Sequence, residues 1–235
     1  STLVLDAPFV IDQGEGKKTW KPENYGKKFY GPSTLRKGLE KSRNLMTVRV
    51  AQEVGLNNIS KITNSFGIYN NIPEVLSVAL GSAETTLIKL TNAYCTFVNG
   101  GKKVTPILID RIQDRRGKTI FNGDKRNCIG CEEISYLEDE IPIIKDDRKQ
   151  IISAETAYQI TSMLEGVIQR GTGRKLKNLN IPLAGKTGTT NKNMDAWFIG
   201  FTSKLVIGVY VGFDEPKSLG KYETGAKAAL PIFKK

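Results

Sequence analysis

Apolar residues recur along this chain at two periods, and the change of period divides it. Up to Gly101 the spacing is helical. Ser33 is placed to cap a helix over 35–41. After Ser42-Arg43-Asn44, helical spacing resumes through Leu45, Met46, Val48, Val50, Ala51 and Val54, and it stops at Gly55. A short helix is predicted over 58–66 and an apolar turn or strand over 73–80. A longer helix is predicted over 85–98, where Leu87, Leu90, Ala93, Tyr94 and Phe97 share a face and Asn99-Gly100-Gly101 supplies the stop. Before Ser33, the residues Gly14, Gly16, Pro22, Gly26, Gly31 and Pro32 break every pattern, so 1–32 reads as irregular.

Beyond Gly101 the texture changes. Residues 104–112 are strand-like, and Asp114-Arg115-Arg116-Gly117-Lys118 is a hairpin turn into Thr119-Ile120-Phe121. Residues 122–150 are polar and lack apolar periodicity. Ser153 then caps a long helix with Ala154, Ala157, Ile160, Met163, Leu164, Val167 and Ile168 on one face, ending at Gly171-Thr172-Gly173. Two strands are predicted over 195–201 and 205–212, and 225–233 starts as a helix and stops. The chain thus divides into a helical part (1–101), a small β insertion or mobile loop (102–150), and a helix-and-sheet part (151–235). Strands and helices do not alternate and no glycine-rich phosphate loop is present. A doubly wound nucleotide fold is disfavoured, and the class is α+β.

The chain has 235 residues, 39% hydrophobic and 25% charged, which suffices for one large domain or a domain with an insertion. No apolar run is long enough to span a bilayer. The opening Ser1-Thr2-Leu3-Val4-Leu5-Asp6 lacks an initiator Met and a basic-then-apolar leader, and reads as an internal segment. Histidine is absent, which excludes Ser-His-Asp and Cys-His machinery and the usual histidine metal sites within these residues. Acyl-transfer chemistry here must move protons through lysine, carboxylate or hydroxyl groups.

The net charge is +11. Basic residues are interleaved with acids, without a Lys/Arg block or aromatic ladder, so compositional bias accounts for the charge better than a nucleic-acid partner. Cys128-Ile129-Gly130-Cys131 is a C-x-x-C. Its partner set for zinc is incomplete, with only the distant Cys95 remaining, and the preceding Gly123-Asp124-Lys125-Arg126-Asn127 is not the strand that a thioredoxin-type motif follows. A local disulfide or idle thiols are the expectation; no metal and no cofactor are assigned.

Two short motifs carry candidate chemistry. Lys186-Thr187-Gly188-Thr189 sits where strand-like sequence begins. On a sheet edge it offers a fixed charge, two hydroxyls and a glycine that permits close approach, suited to an anionic extended peptide. Ser42-Arg43-Asn44 joins two helical patterns; taken alone, the serine and asparagine are an N-cap pair for the second helix. Taken with Lys186-Thr187-Gly188, they match elements that accompany an S-x-x-K nucleophile in penicillin-binding proteins.

On these residues the chain resembles the transpeptidase domain of class A (bifunctional) penicillin-binding proteins of the 1A type. The likeness extends through Gly31-Pro32-Ser33-Thr34-Leu35-Arg36, the helix ending in Asn99-Gly100-Gly101, Gln169-Arg170-Gly171-Thr172-Gly173, Asp195-Ala196-Trp197-Phe198-Ile199-Gly200 and Glu223-Thr224-Gly225. It implies a β-lactamase/transpeptidase-like fold, with an antiparallel sheet and a helical lobe. It also implies an enzyme that cross-links peptidoglycan stem peptides ending in D-Ala-D-Ala through a serine acyl-enzyme, and that β-lactams inhibit covalently.

Carried over residue by residue, Ser42 relays a proton to the leaving amine and Lys186 holds its network. Asn44 binds a substrate amide, and Thr187 and Thr189 grip the terminal carboxylate with the Lys186 charge. Gly188 lies beside the ligand, and the Thr189 N–H is an oxyanion donor. The family's nucleophilic S-x-x-K is missing upstream of Ser42. The one formal match, Ser218-Leu219-Gly220-Lys221, falls in a Pro/Gly-rich loop that cannot place serine and lysine on one helical face. The expectation is that these residues begin just downstream of the nucleophile.

A D,D-carboxypeptidase or β-lactamase-like hydrolase of the same fold is the runner-up, although no deacylating glutamate can be assigned. A non-catalytic peptide-binding module is the third reading. By resemblance the protein sits on the periplasmic face of a bacterial inner membrane, anchored by a segment outside this chain, among other cell-wall synthesis proteins.

Overall fold

The computed structural model describes residues 2–12, 19–126 and 144–235. The N-terminal stretch expected to be irregular contains a pair of antiparallel strands, β1 (Leu3–Asp6) and β2 (Gly31–Thr34), with Leu3 opposite Thr34 and Asp6 opposite Gly31. Four residues are too few to display a period, and Gly-Pro-Ser-Thr has low strand propensity, so pairing with a distant partner decides this segment. The same pairing moves the first helix cap by one position. Ser33 is buried within β2, opposite Val4, and the cap of α1 (Leu35–Glu40) is Thr34, whose hydroxyl accepts from the Lys37 N–H at 3.3 Å.

The helical part otherwise follows its periodicity. α2 (Asn44–Val54) buries Leu45, Met46, Val48 and Ala51 and stops at Gly55, whose φ of 82° ends it before α3 (Leu56–Ser65). The apolar stretch after Pro73 forms a 3-10 turn (Leu76–Leu80) rather than a strand, and it packs on α2. α4 (Leu87–Val98) is capped by the Thr86 hydroxyl.

The strand-like run from 104 contributes only β3 (Arg111–Gln113), because Pro106 has no N–H to donate. β3 pairs with β4 (Thr119–Asn122) as the predicted hairpin, its turn fixed by Asp114 Oδ1 accepting from the N–H groups of Arg116 and Lys118. Cys128 and Cys131 lie outside the described residues.

α5 (Ala154–Gln169) begins at its predicted cap, Ser153, which accepts from the Thr156 N–H at 3.2 Å. A three-stranded antiparallel sheet follows in the order β5 (Ala184–Thr189), β6 (Ala196–Phe201), β7 (Val206–Val211). β5 is an edge strand among the described residues and carries Lys186, Thr187, Gly188 and Thr189. α5 runs along β5, α4 lies against β7, and a π-helical turn (Gly225–Ala229) leading into α6 (Leu230–Lys234) covers β6. This is the α+β arrangement expected, an antiparallel sheet with a helical lobe. Among the described residues no helix is long and apolar enough to cross a membrane.

The core is built where α5, the sheet and the C-terminal turn meet. Phe198, fully buried, packs with Ile168, Leu176, Leu183 and Leu230, and its ring meets that of Phe233 edge-on at 4.9 Å. A second cluster of Leu164, Val167, Ala184 and Phe201 holds α5 to β5. Phe198→Ala should therefore cost roughly 3–5 kcal/mol of stability, read as a lowered urea midpoint at unchanged slope. Ile120→Ser on β4, where the side chain is 65% exposed, should stay within about 0.5 kcal/mol of the parent.

Candidate active site

The turn between α1 and α2 is where the site begins. α1 closes with the Ser42 N–H on Leu39 O at 3.1 Å and the Arg43 N–H on Gly38 O at 2.9 Å, the paired bonds of a Schellman ending. Ser42 occupies the left-handed position of that ending, at φ 53°, where glycine is favoured and serine is strained. Ser42 and Asn44 do not form the N-cap pair that their spacing taken alone offers. The cap residue of α2 is Arg43, with no side-chain bond, and the Ser42 hydroxyl is engaged elsewhere.

The turn is anchored from behind. Arg43 lies over the Tyr30 ring at 3.2 Å from its centroid and brings Nε to 4.0 Å from the buried Asp6 carboxylate. Asn24 donates to Asp6 Oδ1 at 2.7 Å and accepts from the Leu45 N–H at 3.4 Å.

From β5, Lys186 reaches across to this turn. Its Nζ donates to the Thr187 carbonyl at 2.9 Å and, across 144 positions of sequence, to Ser42 Oγ at 2.8 Å. No carboxylate is among these partners. Burial of the ammonium pushes its pKa down from 10.5 to about 8. The folded protein then binds fewer protons than the unfolded chain between those two values. Keeping this lysine buried costs stability below pH 8, and the cost fades as pH rises toward 10.5.

The other motif residues are placed as follows. The Thr187 hydroxyl is 2.7 Å from the Thr172 hydroxyl. Thr189 is exposed, and its hydroxyl accepts from the Gly225 N–H at 3.0 Å. Gly188 sits between them on the edge strand. Gly225 packs against its back so closely that a Cβ would stand 2.4 Å from the Gly188 carbonyl oxygen. Asn44 opens α2, and its amide donates to the Glu23 carbonyl at 2.9 Å.

Ser42, Asn44, Thr187 and Thr189 line one cleft of about 600 Å³. Sequence reasoning gave no site role to Thr172 and Glu23, which also line it, or to Gly225. The Gly-Thr-Gly after α5 was the available signal for Thr172. The rim is basic, with Lys27, Lys41, Arg43 and Lys192 against Glu23. Ser218 and Lys221 share no helical turn: Ser218 donates to the Lys192 carbonyl in an irregular loop, and Gly220 has a φ of 123°. Among the described residues no cluster of His, Cys, Asp or Glu is placed to hold a metal. The arrangement is equipped to hold an anion against a strand edge and to pass a proton between a hydroxyl and an amine.

Known proteins carry the same arrangement of elements. The family model "Penicillin binding protein transpeptidase domain" matches residues 4–235. Penicillin-binding protein 1A of Rickettsia conorii is 50% identical over 230 residues, covering 97% of this chain and 29% of the relative. The crystal structure of penicillin-binding protein 1A from Haemophilus influenzae superposes with a TM-score of 0.83 at 33% identity, over 100% of this chain and 38% of that one. PonA1 of Mycobacterium tuberculosis, solved in complex with penicillin V, shares the fold at TM-score 0.75 and 21% identity, over 99% of this chain and 61% of that one. The chain spans about three-tenths of the length of the curated relatives it matches. With a family match over nearly its whole length, this chain belongs to the penicillin-binding protein transpeptidase domain family.

Proposed function

We propose that this chain supplies the substrate-holding walls of a penicillin-sensitive D,D-transpeptidase in a bifunctional peptidoglycan synthase. The observation that carries the reading is the 2.8 Å bond from Lys186 Nζ to Ser42 Oγ. It joins the two motifs across one cleft and gives the serine hydroxyl a partner whose charge is adjustable near pH 8.

In this reading the attacking serine and its general-base lysine come from outside these 235 residues. The serine oxygen adds to the carbonyl between the last two D-alanines of a stem peptide. The oxyanion so formed is held by the nucleophile's own N–H and that of Thr189. The C–N bond breaks and the terminal D-alanine leaves as an amine, taking its proton through Ser42, while Lys186 keeps the Ser42 oxygen hydrogen-bonded. Thr187 and Thr189 with the Lys186 charge hold the terminal carboxylate, and Asn44 turns its amide from Glu23 to the substrate backbone. An amino group of a second stem then attacks the acyl-enzyme, forming the cross-link and releasing the serine. A β-lactam follows the first half of this path and stops at the acyl-enzyme. The ceftriaxone acyl-enzyme complex of penicillin-binding protein A from Mycobacterium tuberculosis, on the same fold, supports that part.

A fluorescent penicillin should leave residues 1–235 unlabelled and should label the full-length protein. Stable label on a residue within 1–235 would overturn the assignment of the nucleophile. Lys186→Ala in the full-length protein should slow labelling by about 10²-fold or more, the scale of losing a charged group at the reacting centre; an unchanged rate would remove Lys186 from the mechanism.

Affinity for an N-acylated D-Ala-D-Ala peptide should fall as pH rises through about 8, because the lysine charge is lost there. Lys186→Arg should abolish that limb, since a guanidinium keeps its charge. Titration calorimetry of both proteins from pH 6 to 10 checks it, and a limb that persists in the arginine variant would assign the titration to another group.

A further inference from the structure

Glu40 is the last residue of α1, two positions before Ser42, and it is only 5% exposed. A carboxylate there is disfavoured twice, by burial and by the negative end of its own helix. Two features receive it. Arg170 donates from Nη2 to Oε1 at 2.6 Å and from Nε to Oε2 at 3.3 Å. α5 leaves room at Gly166, where a Cβ would stand 1.9 Å from Glu40 Oε1.

The backbone of Glu40 extends the attachment. Its carbonyl accepts from the Thr172 N–H at 3.2 Å, and a Cβ on Gly171 would lie 2.2 Å from that carbonyl oxygen. Lys41 Nζ adds a bond to the Arg170 carbonyl. The residue so held, Thr172, is the one whose hydroxyl meets that of Thr187 at 2.7 Å.

An ion pair between a buried carboxylate and an exposed guanidinium is a poor means of raising stability, since desolvating the carboxylate offsets most of the attraction. Its location suits another task. It ties the turn bearing Ser42 to the loop bearing Thr172, so the helical and strand walls of the cleft keep one spacing. We propose that Glu40 and Arg170 are positioning residues that hold the Thr172 hydroxyl on Thr187. Either hydroxyl can donate in this contact; an anionic ligand that takes the Thr187 proton selects Thr172 as the donor, and the bond Thr187 makes is strengthened by the one it receives.

The assay rests on the transpeptidase reading, while the geometry can be read without it. In the full-length protein, Glu40→Gln, Gly166→Ala and Thr172→Val are compared singly and in pairs for the second-order rate of capture of a fluorescent penicillin. Each should slow capture roughly three- to tenfold, the worth of one hydrogen bond. Glu40→Gln combined with Thr172→Val should be no slower than either alone.

Gly166→Ala separates positioning from helix stability. Alanine is the better helix former, so slower capture follows only from displacing the carboxylate. Should Gly166→Ala misfold, Glu40→Gln, which keeps the size of the side chain, decides. Unchanged capture in Glu40→Gln, or effects that multiply in the double variant, would overturn the inference. A crystal structure of Glu40→Gln should show the two threonine hydroxyls moved beyond hydrogen-bond reach, and an intact pair would also overturn it. If the unchanged protein captures no penicillin, the transpeptidase reading falls and the crystal structure alone decides the positioning role.

Discussion

A partly buried ammonium with no carboxylate partner among the described residues sets the terms for the rest of this structure. Lys186 must find neutral oxygens, and it uses the Ser42 hydroxyl and the Thr187 carbonyl. The first of these is available only because Ser42 takes a left-handed conformation at the end of α1, and that conformation persists only if its surroundings enforce it. Asp6, Asn24 and Arg43 do so from one side and Glu40 from the other. Two short strands near the N-terminus, which look dispensable, thus serve the turn bearing Ser42 by delivering Asp6 to it.

The same constraint explains why this position is a lysine on a strand. A guanidinium would keep its charge at any accessible pH, whereas an amine with a pKa of about 8 can lose and regain its proton near neutral pH. While charged, Lys186 donates to Ser42 Oγ and leaves the serine proton free to point into the cleft. One ammonium thereby fixes the orientation of the Ser42 hydroxyl and ties the turn to the strand. β5 keeps it in place through pairing with β6, where Lys186 faces Ile199, and through the apolar clusters that fasten α5 to the sheet.

The parts legible in the sequence are those governed by local period and capping. α2, α4, α5 and the β6–β7 hairpin announce themselves through apolar spacing, and Ser153 through its position before a long amphipathic face. The choice between Ser33 and Thr34 as a cap could not be read, because both are hydroxyls and strand pairing made the decision. Ser42 and Lys186 were found as motifs, yet neither the left-handed turn nor the lost proton affinity is encoded locally. The first is anchored by Tyr30, Asn24 and Asp6, between 12 and 36 positions upstream, and the second follows from enclosure by the assembled fold. Thr172 and the Glu23 carbonyl escaped because their roles exist only through contacts with Thr187 and Asn44 made on folding.

The basic excess of the chain gains a local meaning from the cleft. A nucleic-acid duplex requires a continuous basic track that follows its phosphates, and interleaved charges do not make one. Lys27, Lys41, Arg43 and Lys192 instead ring a concavity of about 600 Å³ in which Glu23 is the acidic residue. Exposed charges act over roughly 8 Å at physiological ionic strength, which is comparable with the width of such a cleft. They can draw in a small anion but cannot orient it. Orientation requires groups that hydrogen bonds hold in place, such as the hydroxyls of Thr187 and Thr189 along the strand edge. A basic rim with hydrogen-bonding groups along a strand edge suits an extended ligand with an anionic end.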